Sequence, residues 1–518
     1  MKAKLHIHVL ALACIGSTSG WLVPKSTDSR LGLPRTRQPI SRVQAMSHTK
    51  EPVADAPTLQ RKRDLLAFTL PALGIYVAGP ILSLIDAGFV GRCATNSLEL
   101  ASLGPATVIV DTPLVLLLFI SISTTNMVSA AGSDDDRAAK AVATALALAA
   151  LAGCAIAASQ FSTAAQVSAW YTTVQGASGT DAKQLASFAE SYVKIRALGA
   201  PFALVGSVAQ AACLGFKDTT TPMKVIALAS VVNVAGDWLL IKSGVGGFAT
   251  AGAGAAAATV FAQVGTAVAL LQVLRPRLEC ALSAIRNGWQ PLNIQNIMPF
   301  AAFAPFIFVS AMKLVHYNGV MRSAALVGGA DAAAHVIVFS VAMFSFVVGD
   351  VCSSITQAFI PPYYSEHFKN KDKRRTSLED RASTAATNNA AQPMVMQILR
   401  VALSLSSVCA AAAFAVVSAC AKFMTDDPLV SAASLKLRPW IVAVLSLHAT
   451  AIAMEGALLA RRDLRFLCGL YAGLGALLVY AFTFVNGHGL GLNGVWTAMV
   501  SYQLIRIAML SWRGNFFR

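Results

Sequence analysis

Charge is what this chain has little of. Only 13% of its 518 residues are Asp, Glu, Lys or Arg, against about 25% in an ordinary soluble domain. Acid is the scarcer sign, with 25 Asp and Glu beside 41 Lys and Arg. With 56% hydrophobic residues and a mean hydropathy of +0.61, this shortage excludes a soluble globular enzyme. No phosphate-binding loop with its lysine is present, which disfavours a pump driven by nucleotide hydrolysis. The nine cysteines form no C-x-x-C pair and no metal spacing, so they read as small apolar packing residues and fix no redox compartment. Paired acid-rich motifs for a Mg²⁺-bound diphosphate are missing too. The stretch NVAGD offers one Asp, and Asp134-Asp135-Asp136 lies in a loop. An intramembrane prenyltransferase-type enzyme is therefore the least favoured reading.

What is present is apolar length. After Arg61-Lys62-Arg63 come about twelve apolar spans, from 65–90 to 490–512, each of roughly the 20 residues that cross a bilayer as a helix. The expected fold class is an all-α integral membrane protein of about twelve transmembrane helices, with the lipid bilayer as its surroundings. Spans two (101–131) and eight (331–362) are long enough to tilt or to hold interfacial turns. The net charge of +16 needs no nucleic-acid partner. With the N-terminus inside, the inner loops hold FKD, RPRLECALSAIR, KNKDKRR and RRDLR, the asymmetry of a positive-inside protein.

Residues 1–60 differ from the rest. A short apolar run after Lys2 and Lys4 precedes a Ser-, Pro- and Arg-rich, acid-poor stretch, the pattern of a targeting presequence with a disordered linker. The junction SGWLVP resembles the bipartite presequence of algae with complex plastids. That resemblance implies a plastid envelope, with another endomembrane or the plasma membrane as alternatives. Beyond it, LVGSVAQAACLGFKDTTTP echoes HATAIAMEGALLARRDLRF, with Gln210 opposite Glu455 and Asp218 opposite Asp463. The echo suggests a parallel repeat of two six-helix lobes. The N-lobe is expected over 61–274, a linker over 275–296 and the C-lobe over 297–518.

The stretch 201–241 concentrates the chemistry. Asn233 and Asp237 stand four residues apart and share a helix face. An acid near the end of an apolar span is costly and marks a functional site. Asp86, on span one, lies at a similar depth. Two carboxylates in a low-dielectric site do not both ionise cheaply, so the pair can hold H⁺, or Na⁺ with oxygen help from Asn233. Pro80, six residues before Asp86, removes a backbone hydrogen bond and gives the helix a hinge.

Several stretches resemble the multidrug and toxic compound extrusion (MATE) family, in the branch of bacterial DinF-like and plant plastid members. They are LIDAGFVGRCATNSLELASLGPAT, STTNMVSAA, GFKDTTTPMKVIALASVVNVAGDWLLI, GGADAAAHVIVFSVAMF and ITQAFIPPYY. The resemblance covers about 60–512. It implies two lobes and cation-coupled antiport of small organic solutes by alternating access, with no cofactor beyond the coupling ion, H⁺ or Na⁺. It also implies that Asp86, Asn233 and Asp237 form the N-lobe cation site. No catalytic residue and no metal beyond Na⁺ at those three positions is expected. The second-lobe acid that some eukaryotic relatives carry on helix seven is absent, and Lys313 and His316 stand on that span.

Glu455, Asp350, Asn126 and Lys313 are further polar candidates for the cavity or a secondary role. For Glu455, pairing with a neighbouring basic residue competes with cavity lining. For Lys313, snorkelling competes with substrate contact. Asp111 shares the ambiguity of Asn126, and Lys217 with Asp218 reads as a solvated or capping turn. The solute is either an organic cation or an aromatic acid, and the chain is expected to act as a monomer. The alternative function is a lipid-linked oligosaccharide or lipid flippase of the same superfamily. That reading calls for a strongly cationic cavity, whereas the basic residues of this sequence mostly fall near span ends.

Overall fold

Backbone inside a bilayer must satisfy its own hydrogen bonds, so long apolar runs become helices. The computed structural model describes residues 58–516 apart from 175–178, 243–245, 371–376 and 425–426. The expected presequence lies outside the described residues. Eleven helices are long and apolar enough to cross a membrane: α1 (Gln60–Cys93), α2 (Ser97–Ala131), α3 (Asp135–Thr173), α4 (Gly179–Gly215), α5 (Thr220–Lys242), α6 (Ala251–Arg286), α7 (Ile294–Val327), α8 (Gly329–Phe359), α9 (Ala386–Ala419), α10 (Arg438–Ala460) and α11 (Leu464–Gly487). A twelfth of similar length, α12 (Gly491–Gly514), packs on α10 and α11. No strand occurs among the described residues.

The faint internal echo corresponds to a structural repeat. In the first half α4 packs on α2, α3 and α6, while α1 packs on α5. In the second half α10 packs on α8, α9 and α12, while α7 packs on α11. The turns after α4 and α10 match as well. Lys217 (φ 62°) and Arg462 (φ 59°) both take the left-handed conformation, uncommon for residues with a side chain. In each turn the next amide reaches back to the helix, Asp218 N–H to the Cys213 carbonyl at 2.9 Å and Asp463 N–H to that of Leu458 at 3.0 Å. This is the Schellman closure of a helix end.

Local chemistry explains where the helices depart from plain spans. α2 is two helical segments that meet at Leu117, the interruption expected of so long a span. Pro113 has no N–H and leaves the Ile109 carbonyl without its helical donor. The Gln160 amide of α3 donates to that oxygen at 3.0 Å and to the Val110 oxygen at 3.2 Å. Span eight ends at Phe359 rather than 362, and a short helix, Pro361–Asn370, follows. The inner loop expected around KNKDKRR gives way at Ser377 to a helix that runs to Met424 and contains α9. Its Ala and Gln residues are good helix formers. α6 likewise runs to Arg286, so the first part of 275–296 is helix.

Small residues set the closest approaches. A Cβ on Gly153 would lie 2.4 Å from Pro201 Cα, backbone of α4. Gly153→Ala is expected to force α3 and α4 apart and to cost about 1–3 kcal/mol. A lower melting temperature of the protein in detergent checks this, and an unchanged one contradicts it. The Gly/Ala run that opens α6 packs in the same way, with Gly254 against the Leu240 carbonyl of α5.

Candidate functional site

The acids expected to meet do so. Asp86 comes from α1, Asn233 and Asp237 from α5, and Thr259 from α6. With the Asn233 side-chain amide turned so that both of its ends meet complementary groups, its nitrogen donates to Asp86 Oδ1 at 3.0 Å and its oxygen accepts the Thr259 N–H at 3.2 Å. The Thr259 hydroxyl bonds the Ala255 carbonyl at 2.9 Å and stands 3.5 Å from Asp86 Oδ2. Asp237 is 0% exposed; its oxygens meet no donor among the described residues, and its side-chain contact is with the Asp86 carboxyl, a hydrogen bond that one shared proton makes. The Asp86 carboxylate is the charged group that acts on it.

The local fold forces this meeting. Gly236 lets α5 lie against α6, since a Cβ there would come 2.9 Å from Ala258 Cβ. Directly after Asp237 the helix widens into a π segment, Trp238–Lys242, a distortion frequent at functional sites. α1 runs unbroken through Pro71 and Pro80. Before Pro80, its residues Leu65, Phe68, Ala72 and Ile75 are buried in the C-lobe core cluster. After Pro80, it carries Asp86 to the N-lobe site. One helix thus spans both lobes with a proline between its two anchorages.

Two residues of this region escaped the sequence reading. Thr259 follows the Gly/Ala run and carries no signal apart from being a polar residue in a small-residue stretch. Arg196 of α4 is 8% exposed, with Nε and Nη1 lacking partners among the described residues. It pairs at 3.6 Å with Asp111 and lies within electrostatic reach of Asp86. A lone Arg within an apolar span was the available signal.

A cavity of about 460 Å³ separates the lobes, within the range of small-molecule sites. Tyr76, Thr125 and Gln210 line it from the N-lobe, Lys313, Asp350 and Glu455 from the C-lobe. Gln210 and Glu455, opposite one another in the repeat, thus face the same space. Glu455 binds Lys313 Nζ of α7 at 2.6 Å, Arg506 of α12 and the Tyr471 hydroxyl of α11. Lys313 therefore pairs instead of snorkelling. Arg506 is an exception to the expectation that basic residues mostly fall near span ends and not in the cavity. Helical spacing puts it on the buried face with Gln503, at 3.4 Å, and it lines the cavity. Asp350 is exposed to the cavity and makes no hydrogen bond or ion pair with the described residues. Asn126 does not line it: it bonds Gln357 and the Ala460 carbonyl near the inner end. Met343 and Phe346 face the cavity.

A two-lobed helical bundle with a drug-sized cavity between the lobes, and an acid pair outside that lining of which Asp237 is fully buried, is the architecture of a membrane transporter. The sequence model of the MatE family matches residues 71–239. "Protein DETOXIFICATION 47, chloroplastic" of Arabidopsis thaliana is 29% identical over 459 residues, 87% of this chain and 77% of that protein. "Protein DETOXIFICATION 44, chloroplastic" of the same plant is 26% identical over 468 residues, 87% of this chain and 81% of that protein. A MATE crystal structure in the bent conformation superposes with a TM-score of 0.73 at 16% identity, over 89% of this chain and 97% of that one. The chain is thus similar to DETOXIFICATION proteins over most of its length, and residues 71–239 carry the MatE family pattern.

Proposed function

We propose that this protein is a proton-coupled antiporter that exports small organic solutes across a plastid envelope membrane by alternating access. The observation that carries the reading is Asp237, a fully buried carboxyl whose side-chain hydrogen-bond contact is with another acid, Asp86, so that the pair needs a shared proton or a cation. An unpaired ionised carboxylate is too costly to bury, so the pair holds a cation or a proton. Asn233 turns its N–H toward Asp86 and its oxygen toward Thr259. A sodium ion between the acids would lose that oxygen ligand, and the Arg196 guanidinium nearby opposes a second fixed cation. Both favour H⁺ over Na⁺. Protonation lets α1 bend at Pro80, which changes how the lobes 61–274 and 297–518 sit on either side of 275–296.

The cavity and both acids belong to one chain, so a monomer suffices. The solute enters a space with charges of both signs. Glu455 offsets Lys313 and Arg506, and Asp350 adds a free carboxylate. This is not the strongly cationic cavity that a lipid-linked oligosaccharide flippase would use, and it leaves organic cations and aromatic acids both admissible. The plastid assignment follows the chloroplastic relatives.

The test is transport by the purified protein in liposomes, with a fluorescent organic cation and an aromatic acid as solutes. A pH gradient is expected to drive uptake that Asp86→Asn abolishes, while a Na⁺ gradient alone drives none. Uptake driven by Na⁺ at constant pH would reverse the choice of ion, and uptake untouched by Asp86→Asn would remove the coupling role from this site.

A further inference from the structure

The side-chain bonds that cross between the lobes gather at the inner end of the bundle, defined as the side of the α4–α5 and α10–α11 turns. Asn126, near the end of α2, donates to Gln357 Oε1 at 3.2 Å and to the Ala460 carbonyl at 3.3 Å. The Ser129 hydroxyl donates to the Ala358 carbonyl at 2.6 Å. The two helix ends are counterparts in the repeat. Thr125 of α2 donates to the Ala211 carbonyl of α4 at 2.9 Å. On the other side Thr356 of α8 presses on Gly456 of α10, the counterpart of Ala211, and Gln357 donates to the Gly456 carbonyl at 2.8 Å. Asn126 and Gln357 therefore hold equivalent places and meet each other.

The two left-handed basic residues complete the pattern. Lys217, in the N-lobe turn, sits 4.9 Å from the ring centroid of Phe359 at the end of α8. Arg462, its counterpart in the C-lobe turn, brings Nε and Nη2 to 3.4 Å from Asn126 Oδ1 at the end of α2. Each turn thus reaches into the opposite lobe. Both hold a conformation that costs energy for a residue with a Cβ. Burial also pushes the Lys217 ammonium below its ordinary pKa, against Asp64, which draws it up. A strained, desolvated cation is retained where surrounding contacts over-determine it; here each has a contact in the other lobe, and Arg462 also lies over the Phe303 ring of its own lobe at 5.5 Å.

We propose that Lys217 and Arg462 are a repeat-related pair of latch residues that hold the inner gate shut by clasping the ends of α8 and α2. The structure, with this end closed, is then the outward-facing member of the cycle. Loss of one latch shifts the population toward the inward-facing member. This rests on the alternating-access part of the proposed function and is independent of which ion drives it.

Hydrogen–deuterium exchange of the full chain in nanodiscs tests this without solute or gradient, so a failure of the coupling reading leaves the result interpretable. In Arg462→Ala and Lys217→Ala, amides at the inner helix ends, 124–131 and 354–360, are expected to exchange about tenfold faster, as loss of one or two net hydrogen bonds allows. Those at the outer connections, 88–97 and 326–332, should exchange more slowly. Arg462→Lys should recover little, because an ammonium lacks the planar fork. Asn126→Ala removes the partner of Arg462 from the other lobe, together with the bonds to Gln357 and the Ala460 carbonyl, and should give the same opposed pattern. Opposed changes at the two ends support the latch. Any other pattern, including faster exchange at both ends or no change at either, overturns it.

Discussion

Glu455→Gln is expected to destabilise the protein by about 3–5 kcal/mol, the cost of removing one partner from a buried ion cluster. Glu455 and Arg506 are each about 3% exposed at the side chain, and Lys313 is 24% exposed. The carboxylate ties α10 to α7, α11 and α12 at once through Lys313, Tyr471 and Arg506. Without it, Lys313 and Arg506 lose their bonded counter-charge, and the remaining cavity acid, Asp350, makes an ion pair with neither. Asp136→Asn offers the contrast. Its pair with Lys140 is an exposed contact one helical turn apart, worth at most about 0.5 kcal/mol. Thermal unfolding in detergent, followed by tryptophan fluorescence, should show a large fall for Glu455→Gln and none for Asp136→Asn. Adding Arg506→Gln to Glu455→Gln should restore part of the loss, because the excess positive charge is then halved. Equal melting temperatures for Glu455→Gln and the parent would show that the cluster contributes nothing to stability.

That cluster also marks the limit of what one sequence discloses. Asp86, Asn233 and Asp237 were legible because each places a polar group in an apolar span, and because two of them share a helix face. The span count was legible for the same reason: apolar length is a local property. Whether Lys313 would snorkel or pair was not, since the answer lies on α10 and α12, more than a hundred residues away in the chain. Arg506 drew no notice, because a single Arg toward the end of the last span looks like a snorkelling anchor. Only the packing of α12 against α10 turns it inward. Thr259 had no signal of its own, since its role comes from the register in which α5 and α6 pack. The repeat was faint in residue identities yet plain in backbone conformation, with Lys217 and Arg462 in the same left-handed turn. Selection of the turn geometry tolerates exchange of Phe-Lys-Asp for Arg-Arg-Asp, whereas identity matching does not.

Asp237→Asn should have the opposite signature to Glu455→Gln: transport lost, stability kept. Asparagine has nearly the shape of aspartate, but it neither takes up nor releases a proton in the working range. If Asp237 exchanges the driving proton, gradient-driven uptake is expected to fall by about 100-fold, near the upper range of a coupling free energy between two sites. The fold should not suffer. Asp237 has its side-chain hydrogen-bond contact with another acid, Asp86, to which an amide N–H can donate in its place. Replacing it with a neutral amide therefore removes a buried charge without orphaning a partner. The melting temperature should hold or rise. Solute exchange across the liposome membrane at equal pH should survive better than uptake against a gradient, because the cavity lining does not include Asp237. A variant that lost stability and transport together would instead mark Asp237 as a packing residue. One that kept full gradient-driven uptake would move the coupling step to another carboxylate, with Asp350 the first to examine because it is unpaired and open to the cavity.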